Sequence, residues 1–167
     1  ASYAQNSDAV EALNLKIKNS KVDTTIARAY HDLAEILYQK NVDTIFPLCE
    51  QSNRIIKTSL SQNPSPDKKK VLQGTLAKNY YLIGYAHTIN GNLKKALEFN
   101  EKALYLFSEV GSDNEIGEVY NNMGAIYIQL GSLKKAAELN DLAIKYLKES
   151  DKKRTLAYIY NNTAVIN

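Results

Sequence analysis

The stretch GNLKKALEFNEKAL at 91–104 returns forty residues later as GSLKKAAELNDLAI at 131–144. At the same offset Tyr80 meets Tyr120, Gly84 meets Gly124, Asn100 meets Asn140 and Ala103 meets Ala143. YNNMGAIY at 120–127 then becomes YNNTAVIN at 160–167. A fixed period of roughly 20–50 residues is the mark of a chain built from stacked supersecondary units, each burying its apolar face against the next. This one feature excludes most architectures before composition is considered.

The recurring residues share a physical task. Gly84 and Gly124 are small where a helix must approach a neighbour closely, and Ala96, Ala103, Ala136 and Ala143 play that part on the second helix of each pair. Tyr80, Tyr120 and Tyr160 fill the space beside them. Gly91 and Gly131 end the first helix of a unit and let the chain reverse, because glycine enters left-handed backbone without a steric penalty.

Apolar spacing predicts eight helices and almost no strand. The first covers about 7–19, capped by Ser7 or Asp8. The second runs from Asp23 to about Lys40, and the third from Asp43 to about Ser61 with Pro47 in its first turn. Ser65-Pro66-Asp67 reads as a cap with proline opening a fourth helix, which reaches about Asn90. Further helices follow at about 93–110, 113–130, 133–149 and 151–167. The units are an N-terminal capping segment 1–22, a divergent repeat 23–62, a second repeat 63–111 with its preceding loop, a third 112–150, and the opening helix of a fourth, 151–167. The divergent unit is set 50 residues, not 40, before the next one, as Tyr30 and Tyr80 show.

An aromatic residue, glycine four on, a second glycine seven later and alanines five and twelve beyond it resemble the tetratricopeptide repeat in a lengthened, 40-residue form, like that of signalling adaptors such as kinesin light chain. The resemblance implies an all-α, right-handed superhelical solenoid of antiparallel helix pairs. The opening units also look like the N-terminal repeats of bacterial membrane-bound sensor kinases and regulators. That layout implies a signal segment ahead of Ala1, matching the small-x-small triplet Ser2-Tyr3-Ala4, and a membrane span beyond Asn167. The expected location is periplasmic or extracytoplasmic, with the cytoplasm as the alternative.

The remaining features narrow the function. A net charge of +3 is too small for a duplex-binding surface, so no nucleic acid is expected. No apolar run is long enough to span a bilayer. Cys49 is the only cysteine, so no internal disulfide can form. His31 and His87 stand in no metal-binding spacing, and neither a phosphate loop nor a nucleophile motif occurs. No cofactor, metal or catalytic residue is expected. Lys68-Lys69-Lys70 reads as a solvated helix start, and Lys94-Lys95 and Lys134-Lys135 as faces paired with Glu98 and Glu138.

In tetratricopeptide arrays the first helix of each unit lines a concave groove. Carried over by position, that groove takes Arg28, His31, Glu35 and Tyr38 from the first unit and Lys78, Tyr81, Tyr85 and Thr88 from the second. The third supplies Glu118, Asn121, Ala125 and Ile128, and the partial fourth Tyr158 and Asn161. Tyrosine gives contact area at low entropic cost, and asparagine can hold a peptide backbone by donor and acceptor together. The lysine clamp that chaperone-binding members use for a terminal carboxylate is missing. The expected activity is capture of a protein or peptide segment, within a larger signal-transduction protein or, alternatively, a free cytoplasmic scaffold. Self-association through the open C-terminal edge is a further expectation. Asn122 and Asn162 read as ties between neighbouring helices.

Overall fold

The computed structural model describes residues 2–166, with side chains described for 7–161 and 163. The side chains of Ser2, Tyr3, Ala4, Asn162 and Val165 therefore lie outside the described residues. Eight α-helices follow one another: α1 (Ser2–Asn19), α2 (Asp23–Leu37), α3 (Ile45–Leu60), α4 (Pro66–Ile89), α5 (Leu93–Val110), α6 (Asp113–Gln129), α7 (Leu133–Leu147) and α8 (Lys153–Ile166). No strand occurs among the described residues. The all-helical solenoid expected from the repeat is thus the observed architecture.

Local chemistry sets most boundaries where the sequence places them. Ser65 accepts from the Lys68 amide at 3.4 Å, and Pro66 opens α4 where its missing N–H is harmless. Gly91, Gly111 and Gly131 all sit near φ +70°, with values of 73°, 71° and 71°. Each closes a helix by the same pair of amide bonds. Behind Gly91, Asn92 N donates to His87 O at 2.8 Å and Gly91 N to Thr88 O at 3.1 Å; Ser132 and Gly131 repeat the pattern on Tyr127 and Ile128, both at 2.9 Å.

Two starts differ from expectation. Helix α1 begins at Ser2, so Ser7 and Asp8 lie inside it and cap nothing. Ahead of α3, Asn41 accepts from the Asp43 amide at 3.0 Å and winds Val42–Thr44 into a 3₁₀ turn, which delays the α-helix to Ile45.

The repeated small residues lie at close helix contacts. Ala96, Ala103, Ala136 and Ala143 are completely buried. A Cβ on Gly84 would come within 2.7 Å of Asn100 Nδ2, and one on Gly124 would strike Asn140 Oδ1. Tyr80 lies against Phe99, and Tyr120 against Tyr146, each ring pair 5.8 Å apart. Tyr160 differs in being 54% exposed. Tyr80 and Tyr120 are covered by rings from the second helix of their own unit.

Buried asparagines tie the units together. Asn122 Nδ2 donates to Asn100 Oδ1 at 3.0 Å across the α5–α6 junction, as expected of Asn122. Asn140 Nδ2 donates to Thr163 Oγ1 at 3.2 Å across the α7–α8 junction. Helices α2, α4 and α6 touch one another in series, whereas α3, α5 and α7 make no comparable contacts among themselves. The array therefore curves, with the first helices on the inside.

Candidate partner-binding face

The inside of the curve brings separate units to one place. His31 and Glu35 of α2, Lys78 and Tyr81 of α4, Phe107 of α5, Glu115 and Glu118 of α6 and Lys152 of the α7–α8 linker surround a pocket of about 160 Å³. Five of these were assigned to the groove from sequence. Helical geometry explains the convergence: Lys78 and Tyr81, like Glu118 and Asn121, stand three apart on one helix stripe.

Its electrostatics are mixed. Glu35, Glu115 and Glu118 face Lys78 and Lys152, and Lys152 is paired with Glu118 at 2.8 Å. That carboxylate holds the Lys152 ammonium above its ordinary pKa. Burial, reinforced by Glu118, raises the Tyr81 phenol well above its usual value, so it stays a neutral donor. Farther along the face Tyr38 and Tyr85 meet edge to face, 5.6 Å between centroids. Asn121 Oδ1 is buried and has no hydrogen-bond partner among the described residues, which leaves an acceptor free in the register of Tyr81.

The other assigned residues divide. Arg28 is exposed and borders a neighbouring hollow with Lys78 and Val71. Ala125 and Ile128 are half-buried, and Tyr158 and Asn161 are exposed on α8. Thr88 is half-buried and its hydroxyl donates back to Gly84 O at 3.0 Å, as a helical threonine commonly does.

His31 lines this pocket yet is only 4% exposed. Asn79, 48 residues away, draws it in: His31 Nδ1 lies 2.9 Å from Asn79 Oδ1. The proton positions in this network are fixed by connectivity. Ser52 Oγ gives its single proton to the Ala27 carbonyl at 2.8 Å, so it can only accept from Asn79 Nδ2, also at 2.8 Å. The same Nδ2 donates to Asn53 Oδ1 at 2.8 Å. Asn79 therefore turns its oxygen to His31, and His31 Nδ1 carries the proton. His31 forms the floor of the pocket, not its open rim.

Sequence reasoning missed the outer surface. Leu76, Tyr80, Glu98, Glu101, Lys102, Tyr105 and Leu106 line a wide, shallow cleft of about 710 Å³ on the α4–α5 side. Lys102 lies 4.7 Å above the Phe99 ring there. Of the lysine runs, Lys68 pairs with Asp23 at 2.8 Å and Lys135 with Glu138 at 3.5 Å, as solvated faces do.

Comparison with known proteins agrees with this architecture. Residues 75–149 match the tetratricopeptide repeat family. No curated protein matches the chain. Among solved structures, the chain is similar to BtubC (BKLC) from P. vanneervenii, with a TM-score of 0.66 and 22% identity. That alignment covers 98% of this chain and 63% of the other, so the chain spans less than two thirds of that protein's length. The likeness supports a helical repeat solenoid. Among the described residues no helix is long and apolar enough to cross a membrane.

Proposed function

We propose that the inner face of α2, α4 and α6 captures a protein or peptide segment, and that the chain is the partner-sensing repeat region of a larger signal-transduction protein. Tetratricopeptide repeats are protein-interaction modules, and the reading is of a non-enzymatic one. The observation that carries it is the pocket where Glu35, Lys78, Tyr81 and Glu118 meet from three successive units. Charges of both signs beside a neutral phenol and a free asparagine acceptor suit a polar extended backbone with alternating side chains.

The test is selection from a random peptide display library on the folded chain. Selected peptides should lose at least tenfold in affinity against Tyr81→Ala/Asn121→Ala, with helicity by circular dichroism unchanged. Equal binding to the double variant would overturn the assignment of the face. The sensory setting, extracytoplasmic and membrane-anchored, is examined by locating a tagged full-length protein in cells. Recovery solely from the cytosol would replace it with a free scaffold.

A second reading concerns α8. Tyr158 is 51% and Tyr160 54% exposed beside the buried Ile159, an edge that a second copy could cover. Sedimentation that stays monomeric at high concentration would rule self-association out.

A further inference from the structure

We infer that a hollow at the edge of the inner face, walled by Arg28 of α2 and by Lys70 and Lys78 of α4, takes a phosphorylated side chain of the captured segment. This rests on the reading of the inner face as a segment-binding groove. The hollow measures about 340 Å³, and Asp67, Gly74 and Ser112 also line it. Lys78 lines the inner pocket as well, so the two cavities adjoin.

The hollow exists because α4 is long. Helices α4 and α6 end forty residues apart, at Ile89 and Gln129, yet α4 has 24 residues and α6 has 17. The additional seven, 66–72, all stand at the start of α4, and they bring Asp67 and Lys70 to the hollow. Lys70, Gly74 and Lys78 are spaced four apart, on one helix stripe. The two lysines stand about 12 Å apart along the axis, with no side chain between them on the stripe. A Cβ at Gly74 would meet nothing within 4 Å, so the notch between the lysines is open.

Charge decides the occupant. Three cations face one carboxylate, Asp67, which leaves two positive charges uncompensated in the hollow. Arg28, Lys70 and Lys78 make no ion pair among the described residues, whereas Lys68 and Lys152 are each paired at 2.8 Å. Lys78 acts on Glu35 through space without pairing with it. One guanidinium fork satisfies both oxygens of a carboxylate, so a carboxylate would leave the two lysines idle. A phosphate monoester carries about −1.5 to −2 at neutral pH and offers three acceptor oxygens, one for each cation. Ser112 adds a hydroxyl that caps nothing in α6.

The test probes the full chain with immobilised peptide libraries degenerate around one fixed residue: phosphoserine, serine or aspartate. Phosphoserine peptides should bind at least tenfold more tightly than either of the others. Arg28→Gln/Lys70→Gln, at two exposed positions, should bring phosphoserine binding down to the serine level and leave serine-peptide binding and helicity unchanged. Asp67→Asn should tighten phosphoserine binding. Gly74→Leu fills the notch with all three cations kept, and should abolish the preference; a preference equal to the parent's would mean loose surface attraction and overturn the site. Aspartate peptides bound as tightly as phosphoserine ones overturn the phosphate assignment. So does inorganic phosphate that binds as tightly as the peptides, since the source is then the free anion. Serine peptides that depend on Tyr81 and Asn121, with no gain from phosphoserine, keep the groove and overturn this inference alone. Failure of all three libraries to bind overturns the groove itself and this inference with it.

Discussion

At the scale of the residue, packing decides the sign of a substitution more than its chemistry does. Gly74 and Gly84 share helix α4. A Cβ at Gly74 meets nothing within 4 Å, whereas one at Gly84 comes within 3.3 Å of the Ala96 carbonyl as well as striking Asn100. Gly74→Ala should therefore stabilise the protein by about 0.5–1 kcal/mol through reduced chain entropy. Gly84→Ala should cost about 1–3 kcal/mol through overpacking. Urea denaturation of the two variants reads both values. The sequence made Gly84 and Gly124 legible because they repeat. Gly117 was not: the repeat sets it opposite Ala77, and only its approach to Leu147, 2.6 Å from a built Cβ, explains it. The burial of His31 escaped for a similar reason, since it depends on a partner 48 residues away.

At the scale of the element, each junction is sealed by alanine and tied by a buried amide. Asn100 belongs to two helices at once. Its Nδ2 donates to Ala96 O at 2.7 Å within α5, while its Oδ1 receives Asn122 of α6. Asn100→Leu strands the buried Asn122 donor and should cost about 1–3 kcal/mol. Asn100→Leu/Asn122→Leu should recover part of that loss, because no buried donor is left unpaired. A double-mutant cycle by chemical denaturation measures the coupling, and simple additivity would show the bond contributes nothing. Helix identity and order were readable from periodicity, capping residues and glycine stops. The ties were less so. Asn122 recurs as Asn162 and reads as a tie from the repeat, whereas Asn79 and Thr163 occupy other places in it, so self-alignment does not point to them.

At the scale of the whole molecule, buried acids that resist ionisation set the alkaline limit. Burial pushes the Cys49 thiol up to about 12 from an ordinary 9.0, and it raises the phenols of Tyr81, Tyr85 and Tyr120 as well. The unfolded chain releases these protons first, so it binds fewer of them above pH 9 and stability must fall as pH rises from there toward 12. Melting temperatures recorded across that range should decline, and Cys49 should resist alkylation in the native state yet react on unfolding. At the acid end the Asp23 carboxyl, lowered chiefly by its bond to Lys68, contributes stability that disappears as pH drops through its folded pKa. The overall architecture was the most legible level of all, since period alone implied it. The outer cleft was the least, because the faces of α4 and α5 that line it meet only once the two helices pack together.

The serial order of contacts also governs time. Among the described residues, the substantial contacts join helices one or two places apart in the chain. Such a molecule has no single moment of closure: it can begin to fold in any well-packed pair and grow outward, and it loosens from its tips. Amide exchange should record this as a gradient, slowest through α4–α7 and fastest in α1 and α8. The inner face would then be assembled in its middle before its edges exist, ready to hold a partner while the ends still fray.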